Sequence, residues 1–135
     1  MRRPILAGAV AAVAALVLAS PAGAVSTAHF SVAAVNHTSH HSRHGFQFTE
    51  RLRRHHRSVG HDRVKCRVNR RTHKARCEAV FFFAAGKIKA KGNFGRGDNR
   101  VQVIGGTSAF DGVAGKILIH NVNASRTRLE FFLVR

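Results

Sequence analysis

The sequence of 135 residues contains no tryptophan and no tyrosine, one methionine, two prolines and two cysteines. All aromatic burial therefore falls to its 10 phenylalanines. Acids are scarce. Glu50, Asp62, Glu78, Asp98, Asp111 and Glu130 face 23 Lys and Arg, for a formal net charge of +17. Spread out in this way they show no clear carboxylate pair, and no serine sits in a nucleophile elbow. Two cysteines without C-x-x-C spacing exclude a redox dithiol or a zinc knuckle. After the N-terminus no hydrophobic run is long enough to cross a bilayer, and no proline interrupts the apolar runs that follow residue 64.

The N-terminus has its own character. Arg2 and Arg3 precede an apolar run from Ile5 to Ala19, then Ser20-Pro21 and Ala22-Gly23-Ala24. Positive head, apolar core and small-residue site are the order of a secretory signal. The expectation is a signal peptide over 1–24, a flexible His-rich segment over 25–45 and a folded domain over 46–135. The product would be secreted, and a disulfide is permissible there. No stable membrane insertion is expected after cleavage.

From Val64 onward short apolar runs recur with period two, the signature of half-buried strands. "KIKAKGNF" sets Ile88, Ala90, Gly92 and Phe94 on one face and three lysines on the other. "RLEFFLVR" sets Leu129, Phe131 and Leu133 together, and "DRVKCRV" does so with Val64, Cys66 and Val68. "RVQVI" and "KILIHNV" are β-rich, while "AHFSVAAV", "GFQFTE" and "RSVGH" are weaker strands. "ERLRRHHR" has no apolar stripe to support a helix. Seven or eight short strands with no long helical pattern predict an all-β barrel or sandwich. In a hairpin that places Val68 opposite Ala75, Cys66 falls opposite Cys77. A disulfide is then favoured over two buried free thiols, with a structural role.

"VIGGTSAFDGVAGKI" carries four glycines between two strands. A Walker loop would need glycine six residues before Lys116 and a hydroxyl after it. Phe110 and Ile117 occupy those positions, and "GNFGRGDNR" has Arg100 where a dinucleotide fingerprint needs glycine. The stretch reads instead as a reversal. Gly105 and Gly106 turn the chain, Phe110 folds back as a plug, and Gly112 and Gly115 admit the return.

Residues 59–134 resemble the dirigent and allene oxide cyclase-like barrel family. The resemblance rests on Gly86, Ile88, Gly92 and Phe94, then Gly105, Gly106, Thr107, Phe110 and Gly115. The cysteine pair Cys66 and Cys77 is similar to small exported bacterial members. It implies a small antiparallel eight-stranded, allene oxide cyclase-like β-barrel. Plant dirigent proteins carry a cavity arginine where this chain has Ala114, and their tyrosines have no counterpart here. An isomerase of the allene oxide cyclase type is implied by analogy alone.

A barrel of this size is either filled by side chains or holds one small ligand. The candidate lining is Phe81, Phe83, Ile88, Val101, Val103, Ile117, Ile119, Leu129, Phe131 and Leu133. It suits an apolar or phenolic molecule, with Asp111 near the rim loop available to orient a polar group or to stabilise its turn. No cofactor is expected. His37, His40, His41 and His44 are weak metal candidates, since no acid or cysteine accompanies them. His120 reads as a satisfied structural histidine. Residues 43–76 hold 12 Lys and Arg against Glu50 and Asp62, so Arg51–Arg76 could attract an anionic polymer such as a wall polymer, lipid or nucleic acid. The oligomeric state is open. The leading expectation is a ligand-binding barrel that could direct the stereochemistry of its guest, acting by shape without a catalytic constellation. The alternatives are the cationic polymer binder and the isomerase.

Overall fold

A computed structural model describes residues 26–94 and 99–135. The expected signal peptide lies outside the described residues, as do Gly95–Asp98. Eight strands follow in order: β1 Thr27–Ser42, β2 Gly45–Arg54, β3 Arg57–Asn69, β4 Lys74–Phe83, β5 Gly86–Phe94, β6 Asn99–Gly106, β7 Ala114–Asn123 and β8 Arg126–Val134. Each pairs antiparallel with the next, and β1 closes against β8 into a barrel. The period-two runs explain this closure. Their apolar residues turn inward, most of their charges outward, and closure pairs both edges of the strands along the barrel wall.

The expected flexible segment over 25–45 is corrected by β1. Ala28, Phe30, Val32 and Ala34 alternate along it and are buried. They lie opposite Leu133, Phe131, Leu129 and Thr127 of β8. The folded domain therefore begins well before residue 46, because the closing seam needs this apolar face. Past Val35, β1 continues against β2 alone. The pairing slips between Asn36 and Thr38, leaving His37 as a bulge. "ERLRRHHR" is likewise extended, and the chain reverses at His55 and His56 with φ of 52° and 63°. Two consecutive positive φ values make the primed hairpin turn that matches strand twist.

The β3–β4 hairpin has Val68 opposite Ala75 and Cys66 opposite Cys77. The two cysteines form a disulfide with Cα atoms 4.1 Å apart. Asn69 shapes the turn, its Oδ1 accepting from the Arg71 and Thr72 amides at 2.9 and 3.3 Å. Val68 shares the inward parity of Cys66 but lies past the barrel wall and is exposed. Replacing both cysteines by alanine is expected to cost about 3 kcal/mol of unfolding free energy. Urea denaturation of the double variant measures it, and an unchanged midpoint would mean that strand pairing alone holds the hairpin.

The β6–β7 connection closes one end of the barrel. Thr107 pins it to β5, donating its amide to the Lys87 carbonyl at 3.0 Å and accepting the Lys87 amide on Oγ1 at 3.2 Å. A short 3-10 turn over Ser108–Phe110 then drives Phe110 inward until it is 1% exposed. At Gly106 a Cβ would stand 2.5 Å from the Phe110 carbonyl and 2.6 Å from that of Lys87. Glycine is needed there for close backbone approach, whereas Gly105 supplies the positive φ.

Above this plug the barrel is solid. Phe131 stacks on Phe30 at 4.7 Å and meets Phe81 and Phe83 edge-on. Leu52, Ile88, Val103, Ile117 and Leu133 fill the space between.

Candidate functional site

In an up-and-down barrel, hairpins alternate between the two ends. The β1–β2, β3–β4, β5–β6 and β7–β8 connections lie at one end, and the Phe110 plug at the other. The end away from the plug is hollow. A cavity of about 220 Å³ lies there, with Phe48, Val64, Ala79, Phe81, Val101, Ile119 and Leu129 as apolar walls. Glu50, Asp62, Asn99, Asn121 and Thr127 are its polar groups. A vestibule of about 270 Å³ adjoins it, sharing Phe48, Glu50 and Thr127 and reaching His41, Asn36 and Ser39 on the overhanging part of β1.

The acids form a pair. Glu50 and Asp62 are direct cross-strand partners on β2 and β3, at inward positions. The Glu50 amide donates to Asp62 Oδ1 at 3.1 Å. Asp62 is 0% exposed, and its Oδ2 is buried without a hydrogen-bond partner among the described residues. Burial pushes the Asp62 pKa up to about 9, with the neighbouring Glu50 charge adding to the rise and the Glu50 amide opposing it. Burial also raises Glu50. Asp62 thus keeps its proton at neutral pH. It becomes an O–H donor in an apolar chamber, where a hydrogen bond is strong and an unpaired one costly.

The expected lining residues all face inward, but they divide. Phe81, Val101, Ile119 and Leu129 line the cavity. Phe83, Ile88, Val103, Ile117, Phe131 and Leu133 belong to the filled half, because Phe110 and its neighbours occupy the space they would have enclosed. Asp111 is exposed beside the plug, at the end opposite the cavity mouth, and its amide donates to the Ser108 carbonyl at 3.1 Å. His41 reaches the vestibule, His40 lies on the outer wall, and no group of three or more metal-ligating side chains converges among the described residues. His120 does have a partner, since its Nε2 lies 2.9 Å from Glu130 Oε1, while His29 Nε2 lies 3.0 Å from Glu130 Oε2. These two hydrogen bonds hold the Glu130 carboxyl below its ordinary pKa.

The acid pair escapes a reading by separation along the chain. The signal for it is parity. Asp62 shares a face with Val64 and Cys66, and Glu50 shares one with Phe46 and Phe48, so both acids belong to apolar faces.

Neither the family models nor the curated proteins contain a match to this sequence. Solved structures do match in fold. A pyocyanin demethylase aligns at TM-score 0.68 and 18% identity, covering 78% of this chain and 99% of its own. A Diels-Alderase from Streptomyces koyangensis aligns at TM-score 0.65 and 13% identity, covering 98% and 79%. A pterocarpan synthase dirigent protein aligns at TM-score 0.58 and 10% identity, covering 85% and 87%. All are small eight-stranded barrels of one fold family. At these identities the likeness establishes the fold, which is the architecture that the sequence resemblance implies. No helix among the described residues is long and apolar enough to cross a membrane.

Proposed function

We propose that this barrel holds one small, largely apolar or phenolic molecule in the chamber above Phe81 and steers its chemistry by shape and a single hydrogen bond. The observation that carries this reading is Asp62, a fully buried carboxyl that lines the cavity and whose Oδ2 has no hydrogen-bond partner among the described residues; burial raises its pKa to about 9. A polar ligand atom placed against it exchanges a hydrogen bond with this carboxyl and meets a need the fold leaves open. Phe48, Phe81 and Leu129 then press the ring from several sides. One polar anchor and apolar walls expose one face of the guest, the positional control that proximity and orientation provide. Cavities near 150 Å³ accommodate benzene, so this chamber takes a substituted ring, with a tail in the vestibule.

The solved neighbours support the reading, since their names include a dirigent protein and a Diels-Alderase. The Cys66–Cys77 bridge and the signal-like N-terminus support a secreted protein.

Calorimetric titration with 1-naphthol and menadione at pH 7 tests binding. Both should bind, and Asp62→Leu should weaken menadione about tenfold, the loss of one buried hydrogen bond. Menadione affinity should also fall above pH 9, where Asp62 loses its proton. Absence of heat with every probe, or full affinity in Asp62→Leu, would sink the proposal. Chromatography of the recovered ligand separates a binder from an isomerase.

A further inference from the structure

The basic residues of Arg51–Arg76 do not form one patch. Strand alternation and two hairpins divide them. Arg53, Arg54 and Arg57 gather at the plugged end, Arg70, Arg71 and Lys74 at the open end. What remains on the outer wall is joined by residues far along the chain. Arg63, Lys65 and Arg67 alternate outward on β3, and Lys87, Lys89 and Lys91 do so on β5, all exposed. β4 runs between these two rails. Register sets Arg63, Val80 and Lys89 in one row across the three strands, and Lys65, Glu78 and Lys91 in the next. Glu78 is the lone acid on the outward positions of these three strands.

We propose that this outer wall binds single-stranded nucleic acid, with phosphates on the rails and bases over β4. Three observations lead there. A basin of about 730 Å³ adjoins the open-end rows of the rails, lined by Lys65, Arg67, Arg76, Glu78 and Lys91 together with His40, Phe46 and Gln47 of β1 and β2. Cations on one rail repeat about every 6.7 Å, two residues of strand, and the rails stand about 10 Å apart, two strand spacings. The first spacing approaches the phosphate repeat of an extended strand. Arg76 and Glu78 occupy the open-end half of the β4 floor, and its plugged-end half is apolar and aromatic. Half-buried Val80 and Phe82 occupy it, with His61 stacked on Phe82 at 4.6 Å. The Lys87 Nζ and the Arg63 guanidinium lie 5.3 and 5.6 Å from the Phe82 ring. Single strands offer unpaired base faces to such a floor, and recognition of this kind is sequence-tolerant. Duplexes keep their bases stacked inside. This site is on the opposite side of the wall from the Glu50–Asp62 chamber, so the two stand or fall separately.

Fluorescence anisotropy with labelled oligo(dT) from 50 to 300 mM KCl tests the proposal on the full chain. Binding should weaken steeply with salt. Arg63→Gln/Lys89→Gln/Lys91→Gln should lower the log–log salt slope by about 2, at about 0.7 for each phosphate that is no longer neutralised, and weaken binding at least about tenfold. Arg126→Gln/Arg128→Gln/Arg135→Gln carries the same charge change elsewhere and should keep the parent slope. Phe82→Ala should weaken oligo(dT) but leave inorganic polyphosphate unchanged. Circular dichroism confirms that each variant is folded. Equal losses in the two triple variants would mean diffuse charge and overturn the site. So would preference for phosphatidylglycerol vesicles or for duplex over oligo(dT).

Discussion

Asp62→Asn is expected to gain stability over the parent steadily as pH rises from about 4 to about 9. The sign follows from where the proton sits. Below the ordinary aspartate value of 3.8, both folded and unfolded chains hold it. Above that value the unfolded chain releases its proton, while the folded chain keeps it until about pH 9. The unfolded state then binds fewer protons, and stability falls with pH by up to about 1.4 kcal/mol per unit for this one group. Glu50, raised by the same burial, acts in the same direction. Asparagine has the same shape and does not titrate, and its Oδ1 can still accept the Glu50 amide. Any constant effect of the amide appears at pH 4, so the widening gap isolates the carboxyl. Urea midpoints of both proteins at pH 4, 6 and 8 measure it. Parallel curves would mean that Asp62 ionises freely, and the hydrogen-bond donor of the proposed site would be lost with it.

The same experiment bears on ligand capture. A guest that accepts the Asp62 proton favours the neutral form and should restore parent stability at high pH. Asp62→Asn should show less of this rescue, because its neutral state needs no support.

Phe110→Ala is expected to lower unfolding free energy by about 3–5 kcal/mol, the range for truncating a buried phenylalanine. For a domain of this size that is a fall in Tm of at least about 10 °C. Phe110 is 1% exposed and packs 6.0 Å from the Phe83 ring, beneath the Phe131 cluster. The Gly106 backbone presses against it and Thr107 ties its turn to β5, so the site has little room to collapse. The chamber lies at the far end and shares no lining residue with this plug. Menadione affinity measured well below the midpoint should therefore be unchanged. A small stability loss would show that the plug relaxes inward, and a loss of affinity would show that the two halves of the barrel are mechanically joined.

Much of the architecture was legible in the residues. Alternation at Ile88–Ala90–Gly92 and Leu129–Phe131–Leu133 identified strands and their inner faces, because side-chain direction in a strand is a local property with period two. The Cys66–Cys77 register followed from one hairpin, a pairing closed by a few residues. Phe110 and the diglycine before it read as an inward turn for the same local reason. β1 was harder. Its polar continuation through His37–His44 masked the buried face of Ala28, Phe30, Val32 and Ala34, and its partner β8 lies about a hundred residues away.

What the sequence determined by itself, then, is an all-β domain with apolar inner faces, a cationic exterior and a favoured cross-strand bridge, its closed-barrel form implied by the family resemblance. Tertiary structure alone decided which half of that interior is hollow, that Glu50 and Asp62 share it, and which cations line one outer wall. Side-chain parity is written strand by strand. Cavity volume, desolvation and charge proximity are sums over strands that only barrel closure brings together.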